Sequence, residues 1–349
     1  MGNEAHVLLA GASGVPGRNI LSSLIAFKEA NSWADFTITV LKRASVRRSI
    51  SEGSGEGASD QVGAANETAN ETSEKPYVVA YVENFSDIGG LAHTIHDIAP
   101  DIIISALNAE PEPLLDNRLI DALTNPHAWD PSREHPFFFI NGFTLDLLNR
   151  CVAWLPAPAL EKLKPKIDFA HRLESVSRMG KIEYCTIVNA SFLDYTLVKG
   201  YAGINLSTKT AKIFDGGDKS MTGCSLQFVG DAVAEVVRRV LYGSQFDRED
   251  LMNQRLHIAE VEFTGLGLLE TVKEVTGDEF EVEDVDTSSF LETGHPITKL
   301  AWDGNGAASL QDYGLKFGLH EGLKGKRRRE CFDLALLMHQ PEGHVLHYP

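Results

Sequence analysis

The residues best suited to chemistry stand near the start of the chain. Gly11, Gly14 and Gly17 are spaced three apart in Gly11-Ala12-Ser13-Gly14-Val15-Pro16-Gly17. Glycine lets a backbone turn tightly and approach a pyrophosphate, and a helix that follows offers its free N–H groups and positive dipole end. Ser13, Val15 and Pro16 complete this turn, and Pro16 suits a helix's first turn because its missing N–H has no partner there. A second element of the same chemistry is Lys42-Arg43. A dinucleotide site selective for a free ribose 2′-hydroxyl carries Asp or Glu at this place. A guanidinium instead grips a 2′-phosphate through two parallel hydrogen bonds. The pair therefore points to NADP(H), with Arg43 as the principal contact. Arg47 and Arg48 read as solvated loop residues.

These groups need elements to position them. His6–Ala10 is a short apolar run that reads as a buried strand, the residues from Ile20 to Phe27 have helical spacing, and Phe36–Leu41 is rich in β-branched residues. Strand, glycine turn, helix and strand make a βαβ unit, the context a glycine motif requires. Further strands are predicted at 77–82, 101–106, 136–141 and 184–188, separated by helices at 91–98, 114–123 and 167–179. This alternation predicts an α/β fold, a doubly wound parallel-sheet Rossmann domain over residues 1–190. A smaller C-terminal substrate region, 191–349, is expected to pack partly back on that core. In it, Asp215-Gly216-Gly217-Asp218 predicts a hairpin turn, 228–241 and 266–275 predict helices, and 256–259 and 280–285 predict strands. Residues 51–75 are Ser, Gly, Glu, Ala, Asn and Thr almost throughout and predict a flexible surface insertion.

In such folds ligands bind at the carboxyl ends of the strands. That singles out Ser105, Ala106, Leu107 and Asn108 after the fourth strand, Asn141 and Gly142 after the fifth, and Asn189, Ala190 and Phe192 after the sixth. Of these, Ser105, Ala106, Leu107 and Asn141 are expected beside the cofactor. Trp129, Phe143 and Trp154 read as core first and as an aromatic wall second.

Composition narrows the classes. Lys and Arg total 32 against 49 Asp and Glu, a net charge of -17. Nucleic acid and anionic membranes call for a basic face, so neither is an expected partner. The basic run at Lys324 and Lys326–Arg329 reads as a solvated helix end. Four scattered cysteines without a Cys-x-x-Cys pair argue against a zinc site or redox motif and suit a reducing compartment. No apolar run is long enough to cross a membrane and no secretory signal opens the chain, so a cytoplasmic location is expected. The sequons at Asn66 and Asn70 read as chance. His93 and His96 lack further ligands, and no metal is expected.

The Gly11–Gly17 turn, the Leu41-Lys42-Arg43 strand end, Asp101–Ala106, Tyr184–Val188 with Phe192, and Phe228–Val233 together resemble the NmrA-like and isoflavone-reductase-like family of atypical short-chain dehydrogenases. The resemblance spans most of residues 5–285. It implies an NADP-binding Rossmann core and, for function, an NADPH-dependent reductase of a small aromatic or conjugated secondary metabolite, a monomer or homodimer. The family also holds regulators that bind the dinucleotide without turnover. A non-redox isomerase or cyclase on the same fold is a third reading. The resemblance further implies a catalytic lysine on the helix before the sixth strand. His171 falls near that place, with Lys166 as the alternative; five residues apart, the two face different directions and at most one is catalytic. Tyr195-Thr196-Leu197-Val198-Lys199 matches the Tyr-x-x-x-Lys dyad of other dehydrogenases, but follows the wrong strand and reads as coincidence.

Overall fold

The computed structural model describes residues 5–44, 76–107, 115–128, 136–144, 146–148, 157–189, 191–200, 202–218 and 220–286. The predicted insertion, the sequons, Arg47, Arg48, Asn108, Trp129, Trp154, Ala190, Cys151, Cys331 and the basic run at 324–329 lie outside them.

The elements run β1 (Ala5–Ala10), α1 (Val15–Ala30), β2 (Phe36–Arg43), β3 (Val78–Val82), α2 (Ile88–Ile98), β4 (Ile102–Ser105), α3 (Leu115–Thr124), β5 (Phe137–Thr144), α4 (Ala157–Ser177) and β6 (Ile182–Val188). There follow β7 (Ser191–Phe192), α5 (Leu193–Val198), β8 (Ile204–Asn205), β9 (Thr210–Phe214), β10 (Ser220–Cys224), α6 (Leu226–Tyr242), α7 (Gln245–Leu251), β11 (Gln254–His257), β12 (Val261–Thr264), α8 (Gly265–Thr276) and β13 (Glu281–Val285).

Seven strands form one sheet in the order β11-β6-β5-β4-β1-β2-β3, every pair parallel. Parallel strands need crossover helices, which cover both faces, and so the central strands read as continuous apolar runs. Alternate residues then serve two cores. Val7, Leu9, Ile102, Ile104, Phe138 and Ile140 meet α1 and the valines of α6. Leu8, Ile103, Phe137 and Phe139 meet α2, α3 and α4. Ser225 caps α6 by accepting from Phe228 N at 3.1 Å, and Asp87 caps α2 from Gly90 N at 3.0 Å.

Among the described residues, the chain after β6 does not form a separate layer. Strand β11 returns to the main sheet beside β6, and α6 lies across α1. Two three-stranded sheets, β12-β10-β7 and β13-β9-β8, complete this half. Residues 215–217 turn with a Gly217 N–Phe214 O bond of 2.9 Å, but no hairpin forms. Strand β9 pairs with β8 and β13, whereas β10 pairs with β7 and β12, so the two strands beside the turn belong to different sheets. No helix among the described residues is long and apolar enough to cross a membrane.

Candidate functional site

The glycine turn closes as its residue types require. Gly14 N donates to Gly11 O at 2.9 Å, and Gly11 has a φ of 89°. A Cβ on Gly11 would stand 2.3 Å from Ala106 O, and one on Gly17 would stand 2.1 Å from Gly11 O. The turn therefore presses against the end of β4 and tolerates no side chain at either position. Helix α1 starts with Gly14 as an N-cap that has no side-chain oxygen to offer, and its first turn holds no acidic residue. Its first N–H groups and dipole are thereby left for an anion. Ser13 O accepts from Arg18 Nε at 2.9 Å, so this arginine folds over the turn. Val15 is 41% exposed at the start of the helix. Lys42 and Arg43 end β2 opposite Tyr81 and Val82, Lys42 half-buried and Arg43 exposed.

Beyond the turn, at the carboxyl ends of β4, β5 and β6, lies a cavity of about 190 Å³. Pro16 belongs to its wall, as do Ser105, Ala106, Leu107 and Asn141. Phe143 enters it from a bulge in β5, between Gly142 and Thr144, with a φ of 58°. A left-handed conformation at a large residue is strained, and here it accompanies a ring on the cavity wall. Asn141 Oδ1 accepts from Thr186 Oγ1 at 2.9 Å, tying the ends of β5 and β6 together.

Helix α4 supplies Lys166, Phe169 and Ala170. These lie three and four residues apart, on one helix face. His171 is off that face. Its side chain is 64% exposed and its Nδ1 lies 3.8 Å from Glu174. The structure thus brings Lys166 into the cavity and leaves His171 outside it. Tyr195 and Lys199 are also absent from its lining, and the lysine rests 5.9 Å from the tyrosine ring.

Three charged groups of the wall were not anticipated. Asp116, in the first turn of α3, accepts a hydrogen bond from Ser105 Oγ. Burial pushes its carboxyl up; the Ser105 bond and the Lys166 charge pull it back only in part, leaving it at about 6. Asp146 follows β5 and is buried. Burial pushes it up as well, but the hydrogen bond from His257 and the charge of Arg255 outweigh this and hold it at about 2. Arg255 Nη1 donates to Asp146 Oδ1 at 2.5 Å, and His257 Nε2 lies 3.3 Å from Oδ2. The one signal in the sequence is that Arg255 and His257 are alternate residues of a strand and so share a face. No motif marks Asp116. Tyr184 and Thr186, also in the wall, lay inside a predicted strand with nothing to tell lining from core.

No family model matches the chain, and no curated protein matches its sequence. Solved structures do match. One described as AtPrR2 with NADP+ and (+)pinoresinol is 15% identical, covers 98% of this chain and 92% of its own, and gives a TM-score of 0.58. An isoflavone reductase is 16% identical over 94% of this chain and 92% of its own, with a TM-score of 0.61. A leucoanthocyanidin reductase from Vitis vinifera, in a ternary complex, is 14% identical over 95% of this chain and 100% of its own, also at 0.61. At such identities the likeness speaks of the fold alone: the chain shares with these reductases a Rossmann-like α/β fold, as the resemblance in its sequence leads one to expect.

Proposed function

We propose that this protein is an NADPH-dependent reductase of a small aromatic or conjugated metabolite, with residues 191 onward completing the substrate wall. The observation that carries this reading is the placement of Lys166 in a cavity at the strand ends, next to a glycine turn that no side chain could occupy. The turn and the start of α1 fit a pyrophosphate. Arg43, exposed at the end of β2, fits a 2′-phosphate, with Lys42 beside it. The structure of AtPrR2 with NADP+, similar in fold, lends support to the choice of dinucleotide.

When bound, NADPH supplies the hydride. The chain's own residues do the rest. Leu107, Phe143 and Phe169 give the cavity apolar surface against which a flat substrate excludes water. Lys166 Nζ holds a proton for the substrate atom that gains the electron pair as its double bond is reduced. Asp116 lies close enough to Lys166 for the lysine's charge to act on its carboxyl. Ser105 keeps that carboxyl in place.

The test is direct titration of the purified chain with NADPH and NADH, followed by turnover of a small-molecule extract monitored by cofactor absorbance and product mass. Arg43→Ala should weaken NADPH binding at least tenfold and leave NADH binding unchanged. Equal affinity for both cofactors in the wild type, or product formed without loss of NADPH, would overturn the reading.

A further inference from the structure

Arg255 has a setting that the reduction of a neutral carbonyl does not call for. Strand β11 sends Arg255 and His257 to the same carboxylate, one to each oxygen of Asp146. Asp146 is buried, and with both oxygens engaged it braces the arginine from one edge. An arginine has five N–H donors in a rigid fork. Among the described residues, the Arg255 side chain makes no other hydrogen bond than the one from Nη1 to Asp146. Its side chain is 32% exposed, and it lines the cavity that holds Lys166. A guanidinium fixed along one edge and open along the others is preorganised for a planar anion, because it loses little rotamer freedom on binding. The other charged groups of the wall are Asp116, which accepts from Ser105, and Lys166, whose charge acts on that carboxyl. The apolar surface of the cavity comes from Leu107, Phe143, Leu147 and Phe169.

We propose that the substrate carries a carboxylate, and that Arg255, held by Asp146 and His257, is the residue that binds it. The substrate class is then a planar aromatic or conjugated carboxylic acid, its acid group at the β11 wall and its reducible bond toward Lys166. This rests on reading the cavity as the substrate site. It goes beyond the reductase assignment, which requires no charge on the substrate.

The test uses the full chain, with and without saturating NADP+, and two probes of the same shape: cinnamate and its neutral amide, cinnamamide. Calorimetric titration at pH 7 should show cinnamate binding the NADP+-loaded chain at least tenfold more tightly than cinnamamide. Arg255→Gln should abolish this preference and leave NADP+ affinity unchanged. Arg255→Lys keeps the charge and the partner for Asp146 but loses the fork, and should retain only a fraction of the preference; it carries the test if the glutamine variant does not fold. Equal affinity for the two probes, binding of neither, or a preference that survives in both variants would overturn the proposal. Failure to bind NADP+ with the cinnamate preference intact would instead sink the reductase reading and leave the carboxylate site standing.

Discussion

The cavity has two walls, and each contributes a carboxyl group. On the α3 and β4 wall, Asp116 meets a hydroxyl and the field of an ammonium, and remains hard to ionise, at about 6. On the β5 and β11 wall, Asp146 meets a guanidinium and an imidazole directly, and is pulled to about 2. Burial acts on both in the same direction. The number and closeness of the donors decides which side of the ordinary value of 3.8 each falls on. Titratable groups driven apart in one cavity mark a division of roles. Asp146 is a permanent anion that fixes its neighbours, whereas Asp116 can exchange a proton close to neutral pH. Under the proposed function, binding falls to one wall and proton chemistry to the other.

The largest expected effect comes from the chemical wall. Lys166→Ala should lower turnover by roughly 10²–10⁴-fold, the usual contribution of a positioned proton donor, with NADPH affinity unchanged. Single-turnover kinetics with the product-forming extract would check this. Loss of cofactor binding in step with turnover would erase the contrast between the walls. Next is Asp146→Ala, which leaves the Arg255 guanidinium without its counter-charge and His257 without its acceptor. Removing one partner of a buried pair costs about 3–5 kcal/mol, and the partial exposure of Arg255 places this case at about 3. Urea denaturation of wild type and variant measures it.

The pH dependence should have opposite sign at the two carboxyls. Asp146 binds its proton less readily folded than unfolded. Its contribution of about 2 kcal/mol is present above pH 4 and is lost as pH falls through 2. Asp116 binds its proton more readily folded than unfolded. It therefore adds stability in acid, about 2–3 kcal/mol, which is lost as pH rises from 4 through 6. Asp116→Asn should flatten the stability curve between pH 4 and 6 and leave the acid limb below 4 intact. A variant curve that parallels wild type over pH 4–6 would remove Asp116 from the comparison. The smallest effect belongs to His171→Ala. Its side chain meets water and one glutamate 3.8 Å away, so stability should change by less than about 0.5 kcal/mol and turnover not at all.

The dinucleotide turn and the cavity differ in how far the sequence reveals them. The dinucleotide turn is one contiguous stretch, Gly11–Gly17, between an apolar strand and an amphipathic helix, and local spacing is enough to read it. The sheet is legible for the same reason: β4 and β5 are runs of Ile and Phe that fit only a strand buried on both faces. The cavity is drawn from Asp116, Asp146, Lys166 and Arg255, which no short window contains. Counting back from β6 led to His171, but the helical period turns that position away from the face of Lys166, Phe169 and Ala170. The sequence predicts strand β11 at 256–259, whereas it runs from Gln254 to His257 and so takes in the polar Gln254 and Arg255. An edge strand carries polar residues readily, and there the deciding arginine was hidden. The glycines at 216 and 217 signal a turn, and nothing local says that the strands beside it join different sheets.

The position of β11 sets a chronology for the folding chain. It pairs parallel to β6, its residues 254–257 against 185–188, after an excursion of more than sixty residues. Parallel pairings across such distances form late, because the loop must close before any contact repays it. During synthesis the residues of the dinucleotide turn, β4 and β5 are all outside the ribosome before Arg255 emerges. The edge of β6 meanwhile exposes its backbone donors and acceptors, a template for pairing with another chain. The strand that carries the proposed carboxylate contact is therefore also the last to join the sheet, and a chain stalled before residue 254 lacks both the cover of β6 and that contact.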